Sequence, residues 1–282
     1  MPSCGGMVPF RLIPALIFAL LTSGAIACSR ETDCAIAGGI YRVFIPDGLK
    51  DGERRPAILY FHGYRERAAD ILAREDIRAI AIRERVVLVV PQGEGNTWSH
   101  PGSPARLRDE FAFSEAVTRD ALARFPIDPK RVLVAGFSQG AAMVWNLRCH
   151  QSERFAAFLA IAGTFWLPQP ERCDGPSRPL MQIHGLSDRT VPLAGRAIRG
   201  GAFHQGDVLR AIGMLREAGR CRAAGIRTVE EGPLTCERME DCGARGGIAF
   251  CLHPGGHDFD PDWLGLGLRF LEQSGGNAAP ER

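Results

Sequence analysis

From residue 40 onward the chain alternates short apolar runs with longer stretches whose apolar residues recur at helical spacing. Residues 41–45 and 57–61 read as strands. Residues 86–90 form an unbroken apolar run, the pattern of a strand covered on both faces. Residues 68–85 carry Ile71, Leu72, Ile77, Ile80 and Ile82 and predict one helix. Residues 107–125 predict another, with Phe111, Phe113, Val117 and Leu122 on its apolar side. A strand at 132–135, a helix at 139–150, strands at 156–161 and 180–183 and a helix at 207–219 follow. A pair of extended, cysteine-bearing segments near 226–253 precedes a closing helix at 262–272. Such alternation predicts an α/β fold, with a mostly parallel central sheet and helices on both faces. Without a repeat, a low-complexity linker or a second unit, residues 28–282 read as a single domain, frayed only over 274–282.

The first 27 residues follow a different pattern. Arg11 precedes an apolar run over 12–21, and Ala25-Ile26-Ala27 forms an A-x-A cleavage site. The apolar core is too short to cross a bilayer, which takes about 20 residues, so 1–27 is expected to be a signal peptide rather than a span. The mature chain would begin at Cys28, in a secreted or periplasmic protein. Lipidation of Cys28 is the competing reading, but lipoprotein signals prefer leucine where Ala25 stands.

Cysteine usage agrees with export. Of nine cysteines, Cys4 leaves with the signal, and the remaining eight suit up to four disulfides. Cys28 with Cys34 and Cys149 with Cys173 are expected pairs, since each flanks a stretch whose ends can approach. Cys221, Cys236, Cys242 and Cys251 would pair among themselves in one of three ways. A zinc site from Cys236, Cys242, Cys251 and His253 is disfavoured, because no C-x-x-C pair is present. A formal net charge of +2, with both signs spread along the chain, gives no nucleic-acid face.

The candidate chemistry centres on Gly136-Phe137-Ser138-Gln139-Gly140, between the strand at 132–135 and the helix at 139–150. A serine hydroxyl needs a base within hydrogen-bond reach and a position clear of the fold, and a tight strand-to-helix turn provides the second. Crowding at such a turn calls for flanking glycines, giving G-x-S-x-G. Asp188 lies in the loop after the strand ending at His184-Gly185, and His257 follows Gly255-Gly256 after the last strand. Alone, the aspartate could be a turn residue and the histidine an ordinary loop residue. Together, serine, aspartate and histidine each follow a strand, in the order Ser-Asp-His. The expected roles are nucleophile for Ser138, base for His257 and orienting acid for Asp188. The backbone N–H groups of Gln139 and Tyr64 are the expected oxyanion donors. His62 and His184, each in a His-Gly pair, read as structural. Trp98 and Trp166 are expected to wall the substrate pocket.

His62-Gly63, Pro91-Gln92-Gly93 with Trp98, the G-F-S-Q-G turn, His184-Gly185 with Asp188 and Gly255-Gly256-His257 together resemble the secreted polyhydroxybutyrate depolymerase and feruloyl esterase group of α/β hydrolases. The resemblance runs in order over residues 40–272. It implies the α/β-hydrolase fold and serine carboxylesterase chemistry, without metal or cofactor, on short-chain, hydroxyacyl or aromatic esters. The implied partner is a small-molecule or oligomeric ester. The group's polymer-degrading members usually carry a linker and a binding module, which is not seen after residue 272, so soluble esters are expected over solid polymer. A peptidase or acyltransferase on the same residues, or a non-catalytic disulfide-stapled binding protein, are the alternatives.

Overall fold

The computed structural model describes Met1 and residues 28–50, 52–242 and 247–275. The expected signal segment after Met1, and the tail beyond residue 275, lie outside the described residues.

The first half of the chain runs β1 (Cys34–Ile36), β2 (Gly39–Phe44), β3 (Arg55–Phe61), α1 (Ala68–Ala73), α2 (Glu75–Arg83), β4 (Val87–Pro91), α3 (Glu110–Arg124) and β5 (Ile127–Phe137). Then come α4 (Gln139–His150), β6 (Ala157–Ile161), β7 (Leu180–Gly185), β8 (Ala197–Ile198), β9 (Phe203–His204) and α5 (Val208–Ala218). The strands β10 (Ile226–Glu231), β11 (Leu234–Met239) and β12 (Ile248–His253) lead to α6 (Asp262–Gly275). Ten strands form one sheet in the order β1-β2-β4-β3-β5-β6-β7-β12-β11-β10, and β8 with β9 makes a small separate ribbon. The six central strands, β4 to β12 in that order, are parallel throughout. Antiparallel pairs at both edges complete the sheet.

Side-chain alternation divides the core. Along β3, Leu59 packs into one layer with Phe113, Val117, Trp145 and Ile212, from α3, α4 and α5. Its neighbours Ile58 and Tyr60 face the opposite layer with Ile71, Ile80 and Leu268, from α1, α2 and α6. A strand buried on both faces reads as an unbroken apolar run, and β4 (Val-Leu-Val-Val-Pro) is buried along its whole length.

Several elements differ from their sequence patterns: β1, β8 and β9 are not among the expected strands, and β5 begins at Ile127, ahead of the expected strand at 132–135. The helix expected over 68–85 is two helices, because Arg74 between them is extended (φ −67°, ψ 119°). Its guanidinium bonds Asp76 at 2.7 Å and lies over the Phe259 ring. Burial of Ile71, Leu72, Ile77 and Ile80 continues across the break, so the apolar spacing is blind to it. The helix expected from 107 starts at Glu110, where the Asp109 carboxylate caps the amides of Phe111 and Ala112. The pair of segments near 226–253 is three strands.

The cysteines form Cys28–Cys34, Cys149–Cys173, Cys221–Cys242 and Cys236–Cys251. Cys236 faces Cys251 directly across the β11–β12 ladder. Three of the four groups considered for zinc are thus held in disulfides, and His253 stacks on Trp263 with ring centroids 5.0 Å apart. Among the described residues, no helix is long and apolar enough to cross a membrane.

Candidate active site

Because the central strands are parallel, their carboxyl ends open on one edge of the sheet, and the loops gathered there carry the candidate groups. β5 ends at Phe137, and Ser138 takes φ 56° and ψ −117°, a strained conformation for a residue with a side chain. Its N–H donates to the Ile161 carbonyl at 2.8 Å, tying the turn to the end of β6. A Cβ at Gly140 would overlap the Phe61 carbonyl oxygen at the end of β3. The second glycine of the motif is therefore demanded by the approach of α4 to a neighbouring strand as much as by the turn itself.

Ser138, His257 and Asp188 come together although 119 and 69 residues separate their bonded pairs. The Ser138 hydroxyl lies 2.9 Å from His257 Nε2, and His257 Nδ1 lies 2.7 Å from Asp188 Oδ2. A carboxylate can only accept, so Nδ1 carries the proton and Nε2 faces the serine with its lone pair. Phe137 packs against the imidazole with centroids 4.9 Å apart, fixing its tilt. Asp188 Oδ1 accepts from the amides of Thr190 and Val191, each at 2.8 Å. Burial works to raise the Asp188 pKa, but the His257 hydrogen bond and the two amides outweigh it and hold the group below its ordinary value.

His184 and His62 are buried supports. His184 Nε2 lies 2.7 Å from the Val191 carbonyl, and Nδ1 accepts from Gln182, whose Oε1 in turn accepts from Trp145. This network fixes the turn that presents Asp188. His62 donates from Nδ1 to the Gly63 carbonyl and accepts the Gly93 N–H at Nε2. Desolvation pushes its pKa down to about 4, keeping it neutral.

Both residues expected to supply oxyanion donors line the cleft with the serine. Gln139 opens α4, where first-turn N–H groups have no intrahelical acceptor. Its side chain is pinned by Thr97, whose hydroxyl donates to Gln139 Oε1 at 2.9 Å. Around Tyr64 both neighbouring amides are engaged, Gly63 N–H on Glu66 and Arg65 N–H on the Asn96 carbonyl. Tyr64, Gln139 and Ser138 line the same cleft, of about 510 Å³.

The two tryptophans part company. Trp166 lines the cleft. Trp98 does not: it is wholly buried, donates from Nε1 to the His62 carbonyl at 2.8 Å and packs on Phe61 and His62. It braces the loop that carries Tyr64 instead of meeting substrate. The pattern also passed over Arg106, Thr164, Thr190, Arg196 and Gln205, which line the cleft from loops beyond the strand ends. Their one sequence signal is that position.

A family model described as phospholipase/carboxylesterase matches residues 108–200, the stretch that holds Ser138 and Asp188. A protein named "Probable feruloyl esterase C" from Aspergillus clavatus is 23% identical over 280 residues, covering 93% of this chain and 94% of its own. Feruloyl esterase C of Emericella nidulans is 23% identical over 239 residues, covering 82% and 80%. Among solved structures, a phospholipase/carboxylesterase from Dyadobacter fermentans superposes with a TM-score of 0.55 at 16% identity, over 85% of this chain and 98% of that one, a likeness of fold. With its parallel sheet, its serine turn and these relatives, the chain has an α/β-hydrolase fold and is similar to esterases, and these likenesses support a carboxylic ester hydrolase.

Proposed function

We propose that the protein is an exported serine esterase that works through an acyl-enzyme on Ser138. The observation that carries this reading is the unbroken hydrogen-bond line from Asp188 through His257 to Ser138, ending at the cleft. Ser138 Oγ attacks the ester carbonyl carbon while its proton passes to His257 Nε2. The tetrahedral oxyanion is received by the N–H groups of Gln139 and Tyr64. The carbon–oxygen bond to the alcohol then breaks, and His257 returns the proton to the departing oxygen. Water attacks the acyl-enzyme by the same route, giving up its proton to His257, and the free acid leaves as Ser138 regains its hydrogen. Asp188 holds the imidazole in the correct tautomer and stabilises the imidazolium formed in both halves. No step calls for a metal or cofactor.

The acyl group is proposed to be aromatic, of the feruloyl type, or short and aliphatic. The names of the relatives support the first, and a cleft of about 510 Å³ beside Trp166 suits one ring. Export, with residues 1–27 as signal peptide and 28–282 as one catalytic domain, is supported by the A-x-A site and the four disulfides. The test is a panel of methyl ferulate, p-nitrophenyl butyrate, soluble hydroxybutyrate oligomers, a polyhydroxybutyrate suspension and a peptide. Turnover of the soluble esters is expected, and clearing of the suspension would add solid polymer to the substrates. Peptide cleavage without ester hydrolysis would overturn the reading.

A further inference from the structure

The mouth of the cleft has an unbalanced charge. Arg106, Arg196 and Arg199 line it, and among the described residues no aspartate or glutamate does. Asp188 stands behind the wall with its side chain wholly buried. Elsewhere several arginines pair with acids, as in Arg42–Asp33, Arg108–Glu110, Arg131–Glu272 and Arg238–Glu231, while others, such as Arg148 and Arg178, do not among the described residues. The three cleft arginines have no such partner among the described residues. Arg196 spends Nε on the Thr190 carbonyl at 2.8 Å, fastening it to the turn that presents Asp188. Arg106 spends one terminal nitrogen on the carbonyls of Ser103 and Ala105. Arg199 lies over the Phe203 ring.

A second observation comes from deeper in the same cleft. Thr164 and Gln205 also line it, at 1% and 5% exposure, and Thr164 Oγ1 and Gln205 Oε1 are buried without a partner among the described residues. These two atoms are closed off from the cleft, so Thr164 and Gln205 add neutral polar wall behind the arginines and no opposing charge.

We infer that the cleft selects esters that carry a carboxylate on the part remote from the scissile carbonyl. The guanidinium groups of Arg106, Arg196 and Arg199 hold the carboxylate at the mouth. Guanidinium forks match a carboxylate in geometry as well as charge. A cleft lined by one sign of charge between apolar walls also concentrates its counter-charged ligand. Hydrolysis of such an ester would release a dicarboxylic acid and an alcohol when the acyl side bears the carboxylate, or a hydroxy acid and a simple acid when the alcohol side does. The inference rests on the esterase reading of Ser138.

The test uses two esters of the same glutaryl chain, p-nitrophenyl hydrogen glutarate and its methyl-capped neutral counterpart, each corrected for spontaneous hydrolysis. The intact protein is expected to favour the charged ester in kcat/KM by at least about fivefold at low salt, the advantage shrinking toward unity near 0.5 M salt as screening sets in. In the double variant R196Q/R199Q the ratio of the two constants should fall toward unity. A ratio at or below one in the intact protein, with the neutral ester turned over, overturns this inference and leaves the esterase reading standing. A preference that neither salt nor the double variant reduces overturns the assignment to these arginines. If neither ester is hydrolysed, the esterase reading falls and takes this inference with it.

Discussion

With its side chain wholly buried, Asp188 keeps its charge because His257, Val191 and Thr190 all donate to it. Asparagine there would still accept the two amides, but its NH₂ could turn toward His257 and force the proton onto Nε2, where no base faces the serine. Asp188→Asn should therefore lower kcat/KM for p-nitrophenyl butyrate by about 10³- to 10⁴-fold with little change in melting temperature. A loss under tenfold would mean that another carboxylate orients the imidazole. Single residues were also where the sequence was least legible. That Ser138, Asp188 and His257 would meet was legible because each follows a strand and their order is informative. Trp98 stands beside the same edge, yet its side chain turns inward to the His62 carbonyl, 36 residues away in the chain. Nothing local encodes that choice. Thr164 and Gln205 carry no motif at all.

At the scale of elements, apolar spacing was reliable wherever burial is periodic and failed where a backbone turn leaves burial unchanged. The helix at 139–150 and the strand at 180–183 were legible because unbroken apolar runs end at glycine or polar boundaries. The break at Arg74 was not, because its cause is tertiary: Phe259 arrives from the far end of the chain to receive the guanidinium. The β10–β12 meander was legible only as extended, since register across strands is a long-range property. That meander has a testable staple. Cys236–Cys251 closes a loop with a sequence separation of 15 and crosses the ladder that ends in the His257 loop. Replacing both cysteines with alanine should cost about 2–4 kcal/mol in urea unfolding, chiefly by freeing the unfolded chain. An unchanged unfolding midpoint would show that the sheet alone holds β11 and β12 together.

Taken whole, the molecule is a mostly parallel sheet that brings loops from β3, β5, β6, β7 and β12 to one edge, and its buried histidines give it a characteristic acid response. Burial holds His62 and His100 at about 4 in the folded chain, below the ordinary 6.5. As pH falls, the unfolded chain takes up protons first, so their contribution to stability is complete above about 6.5 and is lost progressively down to about 4. Urea midpoints should therefore decline between about pH 7 and pH 5, and His100→Asn should flatten the decline. A midpoint constant across that window would contradict the buried neutral state. The central claim, that this edge hydrolyses esters through Ser138, is tested most directly by kcat/KM of Ser138→Ala on p-nitrophenyl butyrate, with circular dichroism confirming the fold. The serine sits on a turn at the cleft, so its hydroxyl supplies chemistry and little packing. A fall of about 10⁴- to 10⁶-fold with an unchanged spectrum is expected, and activity within tenfold of the parent would contradict the account.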